Sequence, residues 1–277
     1  MEIKGLLKAK QEIINDALIR YLGEDNSPIF EAMRYSVLNG GKRIRPILCL
    51  LTYESAGGDD LAEIIPIACG IELIHCYSLI HDDLPCIDND DYRRGKPASH
   101  KVYGEGVATL TGDGLFAYAF DLLSRAGSEE SLRVIADLAK ITGPKGIVLG
   151  QEMDIREQKD RSPTFLRQTH FRKTALLIAG SIRAGAIVGR VDDPILNDLT
   201  RGGESLGMLF QITDDILDAE AGGREENRLT YPLIYGLKRS QFRARRYADR
   251  ARYYFQRAGE DFQILQEITN IVLNRDR

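Results

Sequence analysis

Cysteine is scarce and unpatterned in this chain of 277 residues. Cys49, Cys69, Cys76 and Cys86 form no C-x-x-C pair, which argues against a zinc knuckle or a dithiol redox motif. All four lie in apolar segments and read as small core residues of a protein in a reducing compartment. Long apolar runs are missing too. No stretch free of Asp, Glu, Lys and Arg exceeds nine residues, so no membrane span is expected. The first twenty residues, MEIKGLLKAKQEIINDALIR, mix Lys and Glu through their apolar positions, which argues against a signal peptide. A cytoplasmic location follows as an expectation. Excess positive charge is absent: the net charge is -4, and no long basic stripe stands out, so nucleic acid is not an expected partner. Low-complexity linkers and sharp composition shifts are lacking, so residues 1–277 read as one domain.

What is present is helical periodicity. Leu6, Leu7, Ile13, Ile14, Leu18 and Tyr21 trace one helix face. Pro28 starts a second helix that ends at Asn39-Gly40-Gly41, and Pro46 opens a third. Residues 61–84 read as a long helix. Further candidates are 107–125, 129–142, 145–158, 164–189, 195–219, 231–235, 239–258 and 261–274. Sustained period-2 alternation is missing, so few strands are expected.

Two aspartate clusters stand inside these apolar surroundings: DDLPCID at 82–88 and DDILD at 214–218. A carboxylate that is not solvated must be paired or bind metal. All-oxygen ligands without a Cys/His cluster suit Mg²⁺, which shares its coordination with substrate phosphates. The pattern therefore points to a phosphorylated, largely apolar substrate. Asp214 and Asp218 are one turn apart, and Gln211 and Asp215 are assigned to the same face by their spacing. Asp82 and Asp88 would diverge in a straight helix, but Pro85 ends or kinks it and lets them converge.

Cations accompany the acids. Arg93 and Arg94 follow in a segment that reads as a surface loop, and adjacent guanidinium groups suit bidentate phosphate contacts. Gly40-Gly41-Lys42-Arg43-Ile44-Arg45-Pro46 puts three cations at a helix start, where backbone amides attract anions. Lys173-Thr174 precedes an apolar run. His75 and His81 share the long helix.

Together these segments resemble the trans-isoprenyl diphosphate synthases, the farnesyl and geranylgeranyl diphosphate synthase family. The similarity runs through EAMRYSVLNGGKRIRP, IELIHCYSLIHDDLPCIDNDDYRRGKPASHKVYGE, GQEMDI, RKTALL, LFQITDDILD, LTYPLIYGL and the terminal NRDR. The resemblance implies an all-α bundle of about ten or more helices around a central apolar cavity, normally a homodimer. It implies three Mg²⁺ ions per active site, with Mn²⁺ as the alternative. Asp82, Asp88 and Asp214 are the implied ligands, supported by Asp83, Asp215 and Asp218. Lys42, Arg45, His75 and Arg94 are implied to hold isopentenyl diphosphate. Arg93, Lys173, Thr174 and Gln211 are implied to hold the allylic diphosphate, with Arg228 also in a substrate-binding place. The implied reaction ionises the allylic C–O bond, joins the isopentenyl double bond to the carbocation, and loses a proton to the released pyrophosphate.

The chain departs from the family between Asp218 and Thr230. That segment is short, the family's Gly-Lys is absent, and Arg228 stands where a second Lys is common. Either the flap is genuinely short, or a mobile loop is missing from the sequence. A true deletion would weaken allylic binding. Product length depends on what blocks the growing tail, and Tyr77, with Ser78 one turn before Asp82, is the candidate floor. An aromatic there, with the two-residue insertion in the first motif, is more typical of farnesyl synthases, so a mainly fifteen-carbon product is expected. A geranylgeranyl synthase and a weakly active or noncatalytic subunit of a heteromeric synthase are the alternatives. A class I terpene cyclase fits poorly, because DDILD is not its second motif.

Overall fold

A computed structural model describes residues 3–156, 161–222 and 229–275. Its elements are helical except for one small hairpin. In chain order they are α1 (Ile3–Leu22), α2 (Pro28–Leu38), α3 (Ile44–Ser55), α4 (Leu61–Asp82), β1 (Tyr92–Arg93), β2 (Lys96–Pro97), α5 (Ser99–Tyr103), α6 (Glu105–Arg125), α7 (Glu129–Thr142) and α8 (Ile147–Ile155). There follow α9 (Pro163–His170), a π-helical segment (Phe171–Ala175), α10 (Leu176–Val188), α11 (Asp193–Glu220), α12 (Tyr231–Tyr235), α13 (Leu237–Ala258), a 3₁₀ turn (Glu260–Phe262) and α14 (Gln263–Leu273). The chain divides into two compact units, Met1–Leu50 with Asp60–Ile135, and Leu51–Asp59 with Ala136–Arg277.

In the first unit α4 is the core. Asp60 caps it, its carboxylate accepting the Ala62 amide at 2.8 Å. The helix is apolar nearly all round, which fits burial on every side, and it packs against α1, α2 and α6. By length and composition α4 is long and apolar enough to cross a membrane, although its charge-free runs are short. Its residues from Ile64 to Ile74 are buried within the chain, as in the core helix of a globular protein. Glu72 sits inside it because Arg43 meets its carboxylate at 2.7 Å.

In the second unit α11 lies between α10 and α13. Asp192 caps α11 through the Ile195 amide, and Ser162 and Thr230 cap α9 and α12, each with Pro in the first turn. Helix α13 buries a narrow stripe of the small residues Ser240, Ala244, Ala248 and Ala251, followed by the large Phe255.

Four expectations need correction. The run expected as one helix over 164–189 is two helices joined by the π segment. The loop carrying Arg93 and Arg94 is a tight antiparallel hairpin in which Tyr92 pairs with Pro97 and Arg93 with Lys96. Cys49, Cys69 and Cys76 are buried, but Cys86 is exposed, since it lies in the turn after α4 has ended. A basic stripe does exist: α13 carries eight Lys and Arg residues and one acid, Asp249, a local excess hidden in the whole-chain balance.

Candidate active site

The end of α4 decides the geometry of the first aspartate cluster. The helix stops at Asp82, and the chain folds back so that the Asp88 amide donates to the Asp82 carbonyl at 2.9 Å. This brings the Asp82 and Asp88 backbones together, with Pro85 inside the turn. Asp82 is half-buried and Asp88 exposed, whereas Asp83 turns inward. Asp83 accepts the Arg93 Nε–H at 2.9 Å and is also bonded by Arg93 Nη2, and Asp90 accepts from the same nitrogen at 3.1 Å. Asp83 thus fixes a cation rather than presenting its own charge.

The hairpin supplies the neighbouring cations. Arg94 (φ 54°) and Gly95 (φ 77°) occupy its two turn positions with the left-handed conformation of a type I′ turn. This aims Arg94 back at the Gly40-Gly41 turn, where its Nη1–H donates to the Gly40 carbonyl at 2.6 Å. Gly41 suits that turn because its φ of +110° is a conformation that L side chains rarely adopt.

The three cations of GGKRIRP separate in the fold. Lys42 is exposed. Arg43 is buried and structural, donating to Glu72 at 2.7 Å, Asn15 at 2.9 Å and the Val37 carbonyl at 2.6 Å. Arg45 lies 3.3 Å from His75 Nε2. Burial, reinforced by Arg45, Arg94, Arg43 and Arg93, holds the His75 pKa well below its ordinary value. His75 is therefore a neutral imidazole in a positive field, suited to hydrogen bonding with an anion without adding charge. His81 instead contacts the Thr109 carbonyl at 3.0 Å.

Tyr77 and Ser78 lie on α4 one turn before the aspartates. The Tyr77 ring packs edge-on against Phe116, with centroids 4.8 Å apart, and Phe116 against Phe120 at 5.2 Å. Burial, with Asp82 adding to it, pushes the Tyr77 phenol up to about 12, so it stays neutral. Ser78 is occupied locally, its hydroxyl donating to the His75 carbonyl at 2.9 Å. The two phenylalanines were not identified from sequence; their i,i+4 spacing on α6 is the only signal they leave.

In the second unit the π segment carries Lys173 and Thr174. The Lys173 ammonium meets Asp154 of α8 at 2.5 Å. The Thr174 hydroxyl donates to Gln211 Oε1 at 2.8 Å, the Gln211 amide donates to Asp215 at 3.0 Å, and the Tyr231 amide donates to the other oxygen of Asp215 at 2.9 Å. This row orients Thr174 and Gln211 through buried Asp215. Gln211 and Asp215 thus face inward, not with Asp214 and Asp218 as the spacing suggested. The Asp214 side chain is 40% exposed and accepts from Arg275 at 2.5 Å, and Asp218 is exposed. Arg275 also donates to the Phe210 carbonyl at 2.8 Å and stacks on the Phe210 ring. Neither Asp154 nor Arg275 stood out as a site residue in the sequence. Each lay inside a family-like segment, GQEMDI and NRDR. Arg228 lies outside the described residues.

The donor set fits a hard divalent cation. In the first unit Asp82 is half-buried and Asp88 exposed while Asp83 is buried, and in the second Asp214 is half-buried while Asp215 is buried. Among the described residues no three metal-binding side chains are clustered.

The polyprenyl synthetase family profile matches residues 26–272. The farnesyl diphosphate synthase of Geobacillus stearothermophilus is 40% identical over an alignment 296 positions long, covering 100% of this chain and 99% of the relative. The chloroplastic geranylgeranyl pyrophosphate synthase of Catharanthus roseus is 41% identical over 257 residues, 87% of this chain and 72% of the relative. The crystal structure of an FPP/GFPP synthase from Zymomonas mobilis superposes with a TM-score of 0.89 at 33% identity, covering 98% of both chains.

Proposed function

Because this chain belongs to the polyprenyl synthetase family and is a prenyltransferase, we propose that it joins isopentenyl diphosphate head to tail to dimethylallyl and geranyl diphosphate, giving mainly farnesyl diphosphate. The observation that carries the product choice is the Tyr77–Phe116 contact at 4.8 Å, an aromatic block one turn from Asp82. The similarity to a geranylgeranyl synthase supports a twenty-carbon product as the second reading.

The chemistry follows from charge. Lys42, Arg45 and Arg94 attract the isopentenyl diphosphate, and neutral His75 hydrogen-bonds it. By family resemblance Asp82 and Asp88 of the first unit and Asp214 of the second would each hold Mg²⁺, which supplies positive charge for a departing pyrophosphate when bound. Arg93, anchored by Asp83, and Lys173, anchored by Asp154, add fixed cations for the allylic diphosphate. As the allylic C–O bond breaks, its electron pair leaves with pyrophosphate. The Thr174 hydroxyl and Gln211 amide offer oriented dipoles to the carbocation without a strong nucleophile. The isopentenyl double bond then forms the new C–C bond, and a proton passes to pyrophosphate. Three metal ions per site, a homodimer, a cytoplasmic location and one functional domain over 1–277 belong to this reading by family resemblance.

The test is a product assay. Protein, Mg²⁺ and labelled isopentenyl diphosphate are incubated separately with dimethylallyl, geranyl and farnesyl diphosphate, and products are resolved by length. Farnesyl diphosphate from the two shorter primers, with little extension of the third, supports the reading. A twenty-carbon product transfers it to the geranylgeranyl alternative. No Mg²⁺-dependent product from any primer would make the short 219–229 segment decisive and favour the partner-subunit alternative.

A further inference from the structure

Helix α13 carries a basic surface that the proposed reaction does not use. Asp249 pairs with Arg252 at 2.5 Å, Asp198 of α11 meets Arg257 at 3.1 Å, and Arg243 lies over the Tyr235 ring at 3.8 Å. Of the neighbouring acids, Glu220 accepts from Gln241, and half-buried Glu204 interacts with Arg250 and Arg201. Lys238, Arg239, Arg245 and Arg246 remain exposed, without an acidic partner among the described residues. Apolar groups stand among them: Phe242 is 62% exposed, Leu233 of α12 55% and Tyr253 54%. Arg239, Phe242, Arg246 and Tyr253 are spaced to share one face, which extends about 20 Å along the helix.

We infer that this face of α13 docks the protein on a lipid bilayer bearing anionic headgroups. Unpaired cations attract such a surface over roughly a Debye length, and exposed apolar side chains between them can enter the headgroup boundary. The whole chain is negative at -4, so attraction acts through this local face rather than a global field. The exposed aliphatic side chains of Leu233 on α12 and Leu237 at the start of α13 favour lipid over nucleic acid, whose bases stack on aromatic faces and not on leucine.

The test is co-sedimentation of the full chain with vesicles of phosphatidylcholine alone or mixed with phosphatidylglycerol. Inorganic pyrophosphate is present throughout to occupy the basic residues of the candidate active site. Binding is expected only to the anionic vesicles and should weaken with salt. The double variant Arg239→Gln/Arg246→Gln should bind about thirtyfold less tightly and keep its vesicle-free turnover. Phe242→Ser should lower the binding that survives high salt. Equal binding to neutral vesicles, no binding to anionic ones, or an undiminished double variant overturns the inference. Retention of a single-stranded oligonucleotide by the same arginines, without vesicle binding, replaces it with a nucleic-acid surface.

Discussion

The Asp88 amide donates to the Asp82 carbonyl across 2.9 Å, so two carboxylates six residues apart spring from adjoining backbone. Asp82→Asn and Asp88→Asn are each expected to lower kcat by about 10²–10³, the scale for losing one preorganised electrostatic contact. Inserting Ala between Pro85 and Cys86 should be as damaging, because it breaks the turn while keeping both side chains. Steady-state kinetics with circular dichroism as the folding control check this. An active insertion variant would show that the convergence is dispensable.

Lys42 and Arg43 are neighbours with opposite duties. Arg43→Ala leaves the Glu72 carboxylate buried and unpaired, and should destabilise the fold by about 3–5 kcal/mol. Lys42→Ala removes an exposed charge, so stability should stay within about 0.5 kcal/mol while KM for isopentenyl diphosphate rises. Urea denaturation beside substrate titration separates the two. Equal stability losses would refute the division.

If Tyr77 and Phe116 are the floor, removing either should release chain growth. Tyr77→Ala is expected to shift product toward twenty carbons, and Phe116→Ala to do so more weakly by letting the Tyr77 ring tilt away. An unchanged product distribution in both would reduce this aromatic pair to core packing.

His75 links stability to pH. Its folded pKa lies well below the ordinary value because of burial and the arginines around it, whereas the unfolded side chain takes up a proton near pH 6.5. Below about 6.5 the unfolded state therefore binds more protons, and stability falls as pH drops. The contribution is fully present above that value. Melting profiles between about pH 7.5 and 5.5 should show a slope of up to about 1.4 kcal/mol per unit from this group, flattened in His75→Gln. An identical slope in the variant would assign the loss to other groups.

The aspartate motifs, the GGKRIRP cations and the 3.6-residue rhythm were legible in the chain, because local spacing and composition suffice to mark a helix or a charge cluster. The hairpin behind Arg93 and Arg94 was not, since two-residue strands are too short for alternation to register. The π segment escaped because its five residues lie within a continuous helical run, too short a span for a one-residue slip in phase to register, though it carries Lys173 and Thr174. Sequence alone determined the helical class, the acidic and basic inventory and, through resemblance, the family. Only tertiary structure decided which of these charges are buried. Arg43, Asp83 and Asp215 belong to the same motifs as Lys42, Asp82 and Asp214, yet they are buried against partners distant in sequence. Whether a charge faces solvent or a buried counterion depends on contacts between elements, which spacing along one helix does not specify.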